Sequence, residues 1–267
     1  MEVATAPLRP VRGRGTATRN VSAMSPTRPL LVLAVVLLVP AAGGCGVFED
    51  GYEQASTVRP LGERLTVLAD SGDVDVSASP DGDLHVIARV AHRGDRPQLT
   101  EESTPTGVVL ESRCPVATAC SVDYEVQVPA AFTVQVTGRS GGVAVSGVTG
   151  PLSVDTDSGD IRVSDVTGDL DLRTGSGQVV GSRVGSGAVL AGSGSGDVRL
   201  DLSVAPREVR AETSSGAVEV VAPGGRAYRV DARSGAGEER VDVPVDPAAP
   251  ASIRAASNSG DVTVRAR

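Results

Sequence analysis

Seven Ser-Gly pairs return at nearly constant intervals between Ser140 and Gly260, and no other feature of the chain limits its fold so tightly. Their glycines, Gly141, Gly159, Gly177, Gly196, Gly216, Gly235 and Gly260, stand 18, 18, 19, 20, 19 and 25 residues apart. Between two of them, Ile161-Arg162-Val163-Ser164 and Leu170-Asp171-Leu172-Arg173 alternate apolar and polar residues in short runs that follow a glycine. Such alternation between glycines predicts half-buried strands joined by tight turns. Repetition near 20 residues predicts a solenoid whose coils hide their apolar faces against one another.

The coils align on two apolar ladders. First-strand positions are Val143/Val145, Ile161/Val163, Val179/Gly181, Val198/Leu200, Val218/Val220 and Val262/Val264. Second-strand positions are Leu152/Val154, Leu170/Leu172, Ala188/Leu190, Val209/Ala211, Tyr228/Val230 and Ile253/Ala255. About 18 residues at ~3.3 Å each give a perimeter near 60 Å, enough for two strands facing each other across a ~10 Å core, with coils ~4.8 Å apart. The expected fold is all-β, a parallel β-solenoid with two short strands per coil of 18–20 residues. Aromatic residues make up 2% of the chain, so its core must be Val, Leu, Ile and Ala. Glycine at the corners supplies positive φ, and serine beside it bonds the local backbone. The 25-residue interval, with Pro244, Pro247 and Pro250, reads as a bulging loop in the sixth coil.

Residues 1–45 read as an export signal. Arginines precede an apolar run of ten, Leu30 to Val39, which is too short to cross a bilayer core that needs about 20 helical residues. A second start is available at Met24. Pro40-Ala41-Ala42-Gly43-Gly44-Cys45 then resembles the lipobox of bacterial lipoproteins, in which the cysteine is lipidated and becomes the new N-terminus. Gly43 and Gly44 fit that box, whereas Ala42 departs from its usual leucine. Acyl chains on Cys45, at about 0.8 kcal/mol per buried CH₂, would hold the protein on the outer face of the cell membrane.

Residues 46–63 read as a tether, 64–139 as an N-terminal β region, and 140–267 as coils continuous with it in one domain. Cys114 and Cys120 bracket five residues. In an exported chain they are expected to form a disulfide, which contributes ~2 to 3 kcal/mol.

The units Ser71 to Val76, Ser158 to Val163, Ser195 to Leu200 and Ser259 to Val264 share the pattern Ser-Gly-Asp-Val/Ile, and Val128-Pro129 precedes the coils. In these residues the chain resembles the bacterial "putative adhesin" family of β-strand repeat proteins, a family of unknown function, over roughly residues 64–267. The resemblance implies a β-solenoid on an exported protein and brings no catalytic residue or ligand with it. Gln178 and Ala217 replace the aspartate of the pattern.

The chain carries a net charge of −8, and loss of the leader, with five arginines and Glu2, leaves 20 arginines against 32 acids, a net −12. That balance excludes nucleic-acid phosphates as partners. Gly138-Arg139-Ser140-Gly141-Gly142 spells a hydrolase elbow, but both histidines, His85 and His92, lie upstream and no helix is signalled. The position after each turn glycine runs Gly142, Asp160, Gln178, Asp197, Ala217, Ala236, Asp261, so neighbouring coils do not build a calcium ladder. No cofactor, metal or catalytic residue is expected. The sequence reading is a lipid-anchored, non-catalytic binding module for a cell-envelope or surface protein or glycan. A carbohydrate-active enzyme on the same scaffold and an envelope-stress or sensor accessory are the alternatives.

Overall fold

The computed structural model describes residues 50–116 and 119–267, so the leader and Cys45 lie outside the described residues. Described residues contain no helix and fold into 21 strands in sheets of eleven and ten. The N-terminal region supplies β1 (Asp50–Val58), β2 (Arg64–Ser71), β3 (Val74–Ala78), β4 (Leu84–Arg93), β5 (Gln98–Thr104), β6 (Gly107–Arg113) and β7 (Ala119–Val128). Five successive coils follow: β8 (Thr133–Ser140) with β9 (Val143–Ser146), β10 (Leu152–Ser158) with β11 (Ile161–Ser164), β12 (Leu170–Ser176) with β13 (Val179–Val184), β14 (Ala188–Ser193) with β15 (Val198–Leu202), and β16 (Glu208–Ser215) with β17 (Val218–Ala222). Even-numbered strands of these coils stack in parallel in one sheet and odd-numbered strands in the other. The two-strand coil expected from the repeat is therefore the unit of the fold.

Both ends depart from a simple succession of coils. β18 (Arg229–Ser234) and β19 (Glu239–Asp242) skip one rung, and the last coil, β20 (Ser252–Ser259) with β21 (Val262–Ala266), fills the slot. The bulging sixth coil of the sequence reading is thus corrected to an outermost rung with the seventh coil inserted beneath it. Prolines 244, 247 and 250 lie in the connection, where their missing N–H groups cost no ladder bond. At the other end β2 and β3 lie inside β6 and β7, and the chain passes back over them to β8. Beyond that rung the sheets become antiparallel, through β7–β4–β1 in one and the β6–β5 hairpin in the other.

The tether of the sequence reading is shortened, because residues 50–58 are edge strand β1, registered against β4 from Asp50↔His92 to Val58↔Leu84. Only Ser56 and Val58 of this strand are buried, so its pairing left no alternation to read.

Inward positions of the ladders are buried as expected, except Val230 on the outermost rung, which is half-buried, and with one correction of register. Val189 and Ala191 face the core instead of Ala188 and Leu190, because the corner at 185–187 holds one more residue and Leu170 pairs with Val189. That single step sends Leu190 to the outer face, as period-two strands require. A third inward column, unread in the sequence, closes the opposite corner: Val148, Val166, Val184, Leu202 and Ala222 are each at most 1% exposed.

Candidate functional site

The turn edge consumes the residues that most resemble a chemical motif. Asp73 Oδ1 accepts the N–H of Gly142, Asp160 that of Gln178, Asp197 that of Ala217 and Asp261 that of Glu238, at 2.7 to 2.9 Å. Asp123 likewise accepts the N–H of Asp73 at 3.0 Å, so two aspartates adjoin at that end, and from Gly142 onward aspartates alternate with rungs that carry no aspartate. From Gly142 onward the alternation doubles the ~4.8 Å spacing at which stacked aspartates would repel. The N–H of Gln178, ahead of the Arg162 contact, holds the Asp160 carboxyl below the usual carboxylate range. Among the described residues no group of three or more His, Cys, Asp or Glu side chains could hold a metal ion.

Beneath the turns runs a buried hydroxyl column missed in the sequence. Thr174, Ser193, Thr213 and Ser257 donate to the carbonyls of Gly159, Gly177, Gly196 and Gly216, each at 2.8 or 2.9 Å. Its signal was available, as a small hydroxyl residue two positions before the turn serine in several coils. Glycine in the turn answers to this same close stacking. A Cβ on Gly159 would lie 1.9 Å from the Gly141 carbonyl oxygen, and one on Gly177 2.1 Å from that of Gly159. Positive φ occurs at Gly141, Gly216 and Gly260 but not at Gly159, Gly177 or Gly196, so rung contact, and not φ alone, demands the residue.

The other singled-out residues are placed as follows. Cys114 and Cys120 are joined as a disulfide at the corner before β7. Ser140 ends β8 beside Ser158, part of the turn column. His92 is buried with Nδ1 against the Gly94 carbonyl at 3.1 Å. His85, which the sequence left without a partner, lies between Asp81 at 2.9 Å and Thr57 at 3.1 Å on the exposed face of the N-terminal sheet. The hydrogen bond from His85, with help from Ser79 and the Asp83 N–H, lowers the Asp81 carboxyl to about 2.

Outward strand positions carry paired charges. Arg199 reaches Glu219 at 3.7 Å, Arg265 reaches Glu219 at 2.9 Å, and Arg89 reaches Glu53 and Glu125 at 3.2 and 2.9 Å. Among paired positions of the described strands, like charges stand directly opposite at Asp75↔Glu125 and Arg210↔Arg254. Burial, and then Glu125, raise the Asp75 carboxyl above its ordinary range. Arg210 and Arg254 share one carboxylate, Glu212, at 2.8 and 3.4 Å. Next to them β14 presents only Ala188, Leu190 and Gly192 outward, and a groove of about 730 Å³ opens over that rung. Arg173, Arg210 and Arg254 line it with Glu212 as their lone acid among the lining residues.

Fold and faces together define the class: a β-solenoid whose outer sheets are its accessible chemistry. The chain belongs to the Toastrack family, DUF4097, whose pattern matches residues 57–265. No curated protein matches it. Among solved structures it is similar to a protein of Bacteroides fragilis described as a "putative adhesin", at 12% identity over 84% of this chain and 100% of that one, with a TM-score of 0.45. A "putative cell adhesion protein" of Clostridium sporogenes matches at 11% identity over 82% and 100% of the two chains, with a TM-score of 0.42. A "putative lipid binding protein" of Parabacteroides distasonis matches at 11% identity over 79% and 96%, with a TM-score of 0.43.

Proposed function

We propose that the protein is a non-catalytic binding module, anchored by lipid on Cys45 to the outer face of the cell membrane, that holds a surface glycan or protein. The observation that carries this reading is how the coils divide their polar groups. Turn carboxylates and, Thr156 apart, the hydroxyls beneath the turns join rungs, through bonds such as Asp160 to Gln178 and Thr174 to Gly159. What each coil offers outward is a broad sheet face, which suits recognition by area and charge. A lipidated N-terminus would hold those faces outside the cell. The anchor is tested by fractionating cells that express the full chain or its Cys45→Ala variant and labelling intact cells from outside. Release of the variant from the membrane, with wild-type protein labelled at the surface, is the expected result; membrane association unchanged by the substitution would refute the anchor.

A further inference from the structure

We infer that the disulfide-closed corner carrying Val116 is a docking surface for the lipid bilayer itself, an assignment that rests on the Cys45 anchor proposed above. Cys45 stands five residues before Asp50, the first residue of β1, and five residues span at most ~18 Å. Asp50 pairs with His92 and His92 with Cys120, so β1, β4 and β7 end side by side, and Cys120 lies about 10 Å from Asp50 across two strand spacings. Acyl chains on Cys45 therefore hold this corner within reach of the membrane surface. The corner also protrudes. Ala69 and Val74 of the inner rung are separated by a turn of four residues, whereas their partners Ser112 and Tyr124 are separated by eleven, so the chain between β6 and β7 bulges past the turn edge.

Val116 lies on that bulge and is 98% exposed, the most exposed large apolar side chain among the described residues; Leu61 follows at 66%. No charged residue stands between the two cysteines, and the Cys114–Cys120 bond restrains the bulge, so less freedom is lost when Val116 is covered. Tyr52, two residues into β1, is the one aromatic side chain of the described residues that is not buried. Its ring meets His92 edge-on, and the Arg96 guanidinium lies 5.6 Å from the ring centre. A half-buried tyrosine and an arginine beside an exposed valine are the residue types that settle where hydrocarbon meets headgroups. Apolar contact, and not charge, carries the inference, since Arg113 is paired with Glu111 at 2.6 Å and the whole chain is acidic. Docking here sets the N-terminal rungs against the membrane and leaves the outer sheet faces of the later coils free to meet a ligand.

The chain contains no tryptophan, so one introduced by substitution reports on its own position. Val116→Trp and Leu61→Trp are made in the full-length chain, isolated from membranes and reconstituted into phosphatidylcholine vesicles with brominated acyl chains. Leu61 follows the far end of β1, ~27 Å from Asp50, and serves as the control. In Val116→Trp the emission is expected to shift to the blue and to be quenched by bromine, whereas Leu61→Trp keeps the emission it has in water. A second reading uses the native disulfide: on vesicles, glutathione should reduce Cys114–Cys120 more slowly in the wild type than in Val116→Asp. The added carboxylate repels anionic glutathione, so only loss of bilayer cover speeds the reaction. Equal emission from the two tryptophan variants, or reduction no faster in Val116→Asp, would overturn this corner as the docking surface. A blue shift without quenching would show that protein covers Val116 and would overturn the lipid assignment. Protein isolated without acyl groups would overturn the anchor and this inference with it. Acylated protein whose Val116→Trp emission stays that of water would sink this inference and leave the anchor standing.

Discussion

Asp160 Oδ1 accepts the backbone N–H of Gln178 at 2.9 Å, one rung further along the stack, and the same bond joins Asp73 to Gly142, Asp197 to Ala217 and Asp261 to Glu238. The bond lowers the Asp160 pKa, so its contribution is full above the ordinary carboxylate range and is lost as pH falls through the lowered value. Asp160→Ala should cost about 1–2 kcal/mol at pH 7 by chemical denaturation. Asp160→Asn, which keeps an acceptor oxygen, should cost less and remove the acid sensitivity of this site. Equal losses in the two variants would show that the N–H contact is idle.

Asp75 has the opposite sign. Burial and Glu125 raise its pKa, so the folded state holds this proton more tightly than the unfolded chain, and stability from this group rises as pH falls. Asp75→Asn is expected to raise the melting temperature at pH 7, with the advantage shrinking in acid. A lower melting temperature at pH 7 would contradict the assignment.

Gly177 sits where a Cβ would be 2.1 Å from the backbone oxygen of Gly159. Gly177→Ala must separate two rungs and should cost about 2–3 kcal/mol. Gly82, with φ +80 and open space around it, is the control: Gly82→Ala should cost only the ~1–2 kcal/mol of left-handed strain. Denaturation midpoints of the two variants decide between stacking and φ as the reason for glycine in the turn.

Thr174 and Thr156 occupy the same column one rung apart, and only Thr174 is bonded, to the Gly159 carbonyl at 2.9 Å. The Thr156 hydroxyl is buried without a partner among the described residues. Thr174→Val should cost about 1 kcal/mol, whereas Thr156→Val should be neutral or stabilising. The reverse order, measured by urea denaturation, would refute the hydroxyl latch.

Much of this architecture was legible because the repeat places chemically alike residues at one spacing: Val143, Ile161, Val179 and Val198 share one column in sequence and in space. What stayed hidden was whatever leaves that pattern intact. Exchange of the last two rungs preserves the apolar alternation of Ile253 and Val262, so only the prolines beyond Val243 marked it. The register at Leu190 was lost because Gly185-Ser186-Gly187 absorbs an extra residue without changing composition. Strand β1 was unreadable because an edge strand held by backbone bonds need not alternate, and Tyr52 and Ser56 do not stand out from a linker. The groove was out of reach for a different reason: Arg173, Arg210 and Arg254 are up to 81 positions apart and meet only through the stacking.

Binding without turnover is the central claim. Its most direct measurement applies the purified full-length chain to an array of cell-wall glycans and extracytoplasmic proteins, with product analysis on every glycan that retains it. Specific retention with every retained glycan recovered intact is the predicted result. Cleavage of any glycan, abolished by substitution of outward carboxylates such as Glu212 or Asp155, would contradict the account and make the outer face an active site.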